Sequence, residues 1–384
     1  MLTKALRSIS DSSTARRGEI VGIQYLRGLA AAAVVVTHAS STSAFPKYFD
    51  NPSPSRFLDA GNVGVPLFFV ISGFIIAIVS LREGTLLPRI KKREFFVRRF
   101  ARIVPLLWLA VISYALLRLL GRGFVDVPAT LRSMVLWPVG EVDPKNVWTL
   151  RHELIFYVVF AATFLGQRLS RWFLMAWVIA PLILGFTAYY WGSAVKSELL
   201  QSIFNGANLF FGAGVVLALF WLRKKPEPIK IRADALLFMC GFLLLTGAMT
   251  IARENTSPTA VQLVALILCS GLVFAAVRLA PHGKGNRAGL LFGNASYAIY
   301  LFHPHILSAL LGVWAKLAPG THINVVIWGT SLAAVFAGIV VHVLIEKPLV
   351  NVALIMFGQR PKSSLGEPHR ATSSHIGEQA AQGR

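Results

Sequence analysis

Acidic residues are scarce in this chain: 17 Asp and Glu stand among 384 positions, and all charged residues together make up only 14%. A soluble chain of this length carries about a quarter charged residues and divides into two or three domains. A soluble enzyme is therefore excluded as the main body. Cysteine is nearly absent as well. Cys240 and Cys269 both fall within apolar runs and lack metal-ligand spacing, which excludes a disulfide scaffold and leaves them as small core residues. Polar low-complexity sequence is confined to the ends, and 55% hydrophobic content rules out a disordered body. Internal repeats are also missing, so the chain does not read as two matched halves.

What remains is a succession of apolar runs of roughly 18–22 residues, each long enough to cross a hydrocarbon core of ~30 Å. Ten candidate spans fall near 25–42, 62–80, 101–119, 148–166, 172–190, 205–222, 234–252, 259–278, 292–313 and 323–345. The expected fold is an all-α polytopic membrane bundle of about ten transmembrane helices. Residues 1–20 read as a disordered cytoplasmic tail, 21–350 as one membrane domain, and 351–384 as a largely disordered cytoplasmic tail. No cleavable leader is visible in the Ser/Arg-rich start, so the first span is expected to act as a signal anchor.

The net charge of +21 comes from 38 Lys and Arg, and its placement speaks for topology rather than nucleic-acid binding. With the N-terminus inside, eight basic residues (Lys47, Arg56, Arg122, Arg132, Lys145, Lys196, Arg253 and Lys316) fall outside. Three more, Arg27, Arg118 and Arg151, sit within or at the ends of spans, which leaves 27 of the 38 on the cytoplasmic side. That asymmetry is the positive-inside signature. It places both termini in the cytoplasm, makes membrane lipid a partner and excludes nucleic acid as one.

Ionisable side chains inside a bilayer cost a few kcal/mol each and ask for a reason. Arg27 and His38 share the first span; eleven residues of helix separate them by ~16 Å and return them to nearly the same face. An interfacial snorkelling arginine and a carbonyl-bonded buried histidine are the plain alternatives. Gly64, Ser72 and Gly73 in the second span permit close helix approach, and Ser72 has no base near it in sequence. Arg98, Arg99 and Arg102 precede or open the third span about one helical turn apart, an arrangement suited to phosphate oxygens or to anionic lipid. Glu153 lies a turn or two inside the fourth span, near the expected depth of His38, and is expected to partner a histidine. In the ninth span Ser296, Tyr300 and His303 share a stripe. Pro304 removes the helical bond to the Tyr300 carbonyl and opens that turn to a polar contact. Gly289 and Gly293 form a small-xxx-small pair there. Glu346 closes the tenth span and is expected to bridge to the arginine cluster. No metal site is foreseen.

In order along residues 20–350, five segments resemble the acyltransferase-3 family of bacterial integral membrane acyltransferases. They are Arg27 with His38; Gly64-Val-Pro-Leu-Phe-Phe-Val-Ile-Ser-Gly73-Phe; Arg99 with Arg102; Trp148-Thr-Leu-Arg-His-Glu153 with Phe156-Tyr157; and Ser296 to His303. Gln24 and Leu154 stand where many members carry acids. The wording around Ile23-Gln-Tyr-Leu-Arg-Gly28 is similar to the branch that decorates exopolysaccharides.

The resemblance implies an O-acyltransferase of the bacterial inner membrane that moves an acyl group, commonly acetyl, from cytosolic acetyl-CoA or another acyl-CoA. The acceptor would be a sugar hydroxyl of an exopolysaccharide or a lipid-linked saccharide. It implies no permanently bound cofactor, and it leaves a homo-oligomer or polysaccharide-assembly partners open. On this reading Arg27, Arg98, Arg99 and Arg102 hold the CoA phosphates and His38 is the general base. Glu153 orients the imidazole, and His303 or Tyr300 stabilises the oxyanion. An acyl-His38 intermediate is a variant of the same scheme. The alternative from another class is a transporter or flippase for a lipid-linked glycan or acyl carrier, with buried His and Glu as a proton relay.

Overall fold

The computed structural model describes residues 20–359 apart from 51–57, 59, 192–195, 225–228, 234, 257 and 282–285. Among these, ten helical segments are long and apolar enough to cross a membrane, one for each run read from the sequence. The chain is an integral membrane protein of all-α architecture. The helices that build its centre are α1 (Val21–Ser43), α2 (Gly64–Ser80) and α3 (Lys92–Arg122), followed by the short α4 (Val127–Val135) and then α5 (Trp148–Phe160). Further along come α6 (Gln167–Trp191), α7 (Glu198–Ile203), α8 (Ala207–Lys224), α9 (Ala235–Asn255) and α10 (Pro258–Arg278). The last three are α11 (Asn286–Leu317), α12 (Ile323–Val341) and α13 (Lys347–Met356). One small addition lies outside the all-α reading: β1 (Ile229–Ala233) and β2 (Leu279–Pro281) pair in parallel.

Several bounds differ from the hydropathy reading for a shared reason. Helix α3 begins at Lys92, ahead of the apolar run at 101, so the whole Arg98–Arg102 cluster is helical. Arg, Lys and Glu are strong helix formers and extend a span past its apolar limit. Likewise α12 continues through a π-helical turn (His342–Glu346) into α13, so helix runs on from the end of the apolar run at 345 to Met356. The expectations for the tails at 1–19 and 360–384, including His369 and His375, lie outside the described residues.

Two helix pairs set the interior, and glycine governs both. A Cβ on Gly293 would stand 2.1 Å from the Gln24 carbonyl oxygen, so α1 and α11 touch backbone to backbone only because residue 293 has no side chain. The Gly289–Gly293 pair is thus a contact surface, as small residues are in membrane interfaces. Between α2 and α8, a Cβ on Gly73 would meet the Phe211 carbonyl at 2.1 Å. Phe211 in turn stacks on Phe156 of α5 at 4.4 Å between ring centroids. These contacts draw α1, α2, α5 and α11 around one centre.

The pairings also fix direction. Gln24 faces Gly293 and His38 faces His303, so α1 and α11 run parallel. Tyr297 donates to the Ile103 carbonyl (2.9 Å) while His305 donates to that of Ala110 (2.9 Å); α3 therefore runs parallel to them. Helix α5 runs opposite, with Thr149 against Tyr300 and Tyr157 against Arg99.

Candidate active site

Three of the residues singled out in the sequence, His38, Tyr300 and His303, form one layer between α1 and α11. The imidazoles of His38 and His303 lie 5.0 Å apart, centroid to centroid. His303 also lies 5.8 Å from the Tyr300 ring, which meets Phe68 edge-on at 6.0 Å. His303 is only 1% exposed. The first-helix histidine thus faces its counterpart on α11.

Main-chain carbonyls orient both rings. His38 Nδ1 lies 2.8 Å from the Val34 oxygen, and His303 Nδ1 lies 2.6 Å from the Tyr300 oxygen. A carbonyl can only accept, so each Nδ1 carries the hydrogen, and in the neutral rings each Nε2 keeps the lone pair. The Tyr300 carbonyl is available because residue 304 is proline and has no N–H to donate four residues back. Asn146 Nδ2 donates to the same oxygen at 2.7 Å. The polar opening expected at Pro304 is therefore present, and two side chains share it.

Other placements depart from the sequence reading. Glu153 does not orient either histidine; among the described residues it accepts from Ser72 Oγ at 3.3 Å and from the hydroxyl of Tyr157. The spacing that puts Glu153 near His38 in depth says nothing about which helix face meets which. Tyr300 OH lies 2.8 Å from Thr149 Oγ1 and donates to the Asn146 carbonyl at 3.0 Å, so it holds the layer together rather than pointing a free donor into it. Glu346 pairs with His342 Nδ1 at 2.7 Å rather than with the arginine cluster, because both belong to the same π-helical turn.

The arginines divide as well. Arg98 is 41% exposed and bridges to Glu94 at 2.7 Å. Arg99, about 100° round the helix, turns inward and sits 5.8 Å from the Phe95 ring and 5.9 Å from the Tyr157 ring. Its Nε is buried and makes no hydrogen bond among the described residues. Arg102 lies near enough to interact electrostatically with Arg99 and Tyr157. Arg27 is buried and donates to Gln24 at 3.0 Å. The Gln24–Gly293 and Tyr297–Ile103 contacts place Arg27 at the level of Arg102.

A polar column joins the two ends. Arg99 meets Tyr157, Tyr157 bonds Glu153, and one helical turn above Glu153 stands Thr149, which touches Tyr300 beside His303. From Arg99 to Ala110, which accepts from His305, is eleven residues of α3, or ~16 Å. That matches the Arg27–His38 separation on α1. Tyr157, Asn146 and Thr149 were not identified as site residues from the sequence. The orphaned carbonyl at Tyr300 was the one signal that called for a donor such as Asn146.

The connection between α3 and α5 is tied to the helices that flank it. Arg118 pairs with Asp143, Arg151 donates to the Gly140 carbonyl at 2.8 Å, and Trp108 Nε1 donates to that of Met134 at 2.9 Å. Among the described residues no group of three or more His, Cys, Asp or Glu could hold a metal ion.

The family described as Acyltransferase domain (acyltransferase-3) matches residues 20–346. The exopolysaccharide production protein ExoZ of Rhizobium meliloti is 30% identical over 76% of this chain and 90% of its own length. A Staphylococcus aureus protein provisionally named an O-acetyltransferase is 23% identical over 75% of the chain. The match spans about half, 51%, of that protein's length. Nodulation protein 10 of Rhizobium leguminosarum is 26% identical over 65% of the chain and 73% of its own length. No solved structure matches.

Proposed function

The chain belongs to the acyltransferase-3 family and is an integral membrane acyltransferase; from that premise we propose that it moves an acyl group, acetyl in the first instance, from acyl-CoA to a sugar hydroxyl of an exopolysaccharide or its lipid-linked precursor. The acceptor class follows the name of the Rhizobium meliloti relative and the acetyl group that of the Staphylococcus aureus relative. One observation carries the chemistry: two imidazoles 5.0 Å apart inside the bundle, each with Nδ1 tied to a carbonyl.

In the proposed reaction the acceptor oxygen attacks the thioester carbonyl carbon. The new C–O bond forms as the C–S bond breaks. His38 Nε2 takes the hydroxyl proton and returns it to the departing CoA sulfur. The imidazolium formed in between lies beside the tetrahedral oxyanion and offsets its charge. His303, with its own lone pair at Nε2, contacts the acceptor. Tyr300 positions this layer through Thr149 and Asn146. The distribution of Lys and Arg supports placing the Arg99 end in the cytoplasm. There Arg99, Arg102 and Arg27 bind the CoA phosphates, with Arg98 at the rim. The ~16 Å between these levels suits an extended pantetheine arm, and Glu153 with Ser72 and Tyr157 keeps the intervening column polar. On this reading the protein resides in the bacterial inner membrane.

The test uses purified protein in neutral-lipid nanodiscs with radiolabelled acetyl-CoA and de-esterified exopolysaccharide from the producing cell. Label appearing on the polymer, and lost in folded His38→Ala protein, is the expected result. Movement of acceptor without label, or full transfer by His38→Ala, overturns the proposal.

A further inference from the structure

Asn146 is 5% exposed, and its side chain is held in one orientation. Its amide faces two carbonyls, Tyr300 at 2.7 Å and Leu301 at 3.5 Å, so the group toward them is the NH2 and the oxygen points away. That oxygen, Oδ1, is buried and accepts no hydrogen bond among the described residues. His303 Nε2 is in the same condition, buried and unpartnered. Both groups hang from one atom, the Tyr300 carbonyl oxygen, at 2.7 Å and 2.6 Å. A buried acceptor without a donor is destabilising. Both acceptors belong to side chains anchored on that one carbonyl, and the His303 ring lies 5.0 Å from that of the proposed base.

We propose that Asn146 Oδ1 and His303 Nε2 form a fork that accepts hydrogen bonds from hydroxyls flanking the reacting one, so that Asn146 determines which hydroxyl of the sugar is acylated. The inference rests on the acyl-transfer reading above and adds the acceptor's chemistry: a ring bearing free neighbouring hydroxyls, not an isolated alcohol. A sugar hydroxyl supplies the O–H donors that the fork lacks, whereas a thioester carbonyl supplies only an acceptor and gains nothing there. With the flanking hydroxyls held, the ring cannot rotate to offer a neighbour to His38. Sites that satisfy substrate hydroxyls with buried acceptors discriminate strongly, because a misplaced ring leaves those acceptors unpaired.

The experiment compares exopolysaccharide from cells producing the wild-type protein, Asn146→Ala or Asn146→Ser, with ester positions assigned by two-dimensional NMR. The serine variant keeps a small polar side chain at the position while removing the outward amide oxygen, and detergent size-exclusion profiles report folding of both. Expected is one ester position in the wild type and a mixture over adjacent hydroxyls in the variants. The original position should fall at least threefold in share. An unchanged position at any rate overturns the inference while leaving acyl transfer intact. So does a selective rise in KM for acetyl-CoA, which would assign Oδ1 to the amide N–H groups of the donor arm. Absence of any ester in the wild type overturns both readings.

Discussion

Asn146 and Tyr300 bind each other twice. The Asn146 amide donates to the Tyr300 carbonyl at 2.7 Å, and the Tyr300 hydroxyl donates back to the Asn146 carbonyl at 3.0 Å. The segment preceding α5 is thereby fastened to the middle of α11, at the turn that Pro304 leaves open. Rigidity at this point matters because the same carbonyl orients His303.

Pro304→Ala tests that linkage. The new N–H at residue 304 is expected to reclaim the Tyr300 carbonyl, in competition with Asn146 and His303. Relief of an interior proline, worth up to ~3 kcal/mol in a helix, raises the melting temperature while kcat falls at least tenfold. Thermal unfolding followed by intrinsic fluorescence, paired with thiol release from acetyl-CoA, measures both. A variant that is both more stable and fully active would show that the opened turn has no part in catalysis.

His38→Ala and His38→Gln should each lower acyl transfer by about 10²–10⁴-fold, the range for loss of a general base. Folding should be nearly unaffected, because the ring's one described hydrogen bond goes to a carbonyl of its own helix. Free thiol appearing from acetyl-CoA in a burst before acceptor is added would instead favour the acyl-His38 route.

The two adjacent arginines should behave differently. Arg99→Gln is expected to raise KM for acetyl-CoA about tenfold, as loss of a charge-assisted phosphate contact does. Arg98→Gln, with its exposed bridge to Glu94, should change KM less than twofold, since such surface pairs contribute little. Equal effects from both would argue that the cluster acts only as a diffuse positive field. Titration with acetyl-CoA at several salt concentrations makes the comparison.

Gly293→Ala is expected to destabilise by about 1–3 kcal/mol, the usual cost of overpacking. Its methyl group would meet the Gln24 carbonyl at 2.1 Å, and backbone cannot swing aside as a side chain can. Gly271→Ala, with nothing within 4 Å of the added carbon, serves as the control and should melt within a degree or so of the wild type. Fluorescence-detected size exclusion after heating reads the difference.

The ten membrane segments, the shared face of Arg27 and His38, and the free carbonyl behind Pro304 could all be read before any fold was known. Each follows from a rule local to one helix. Crossing hydrocarbon demands a minimum apolar length, the helical period sets which residues share a face, and proline has no N–H to give. Which residues meet across helices is not local. Glu153 finds Ser72 of α2 rather than a histidine, and Arg99 turns inward onto Tyr157 of α5 while Arg98 does not. Those outcomes depend on the rotation of each helix about its axis. Close backbone contacts at Gly73 and Gly293 fix that rotation for α2 and α11, and no spacing within a single segment encodes it.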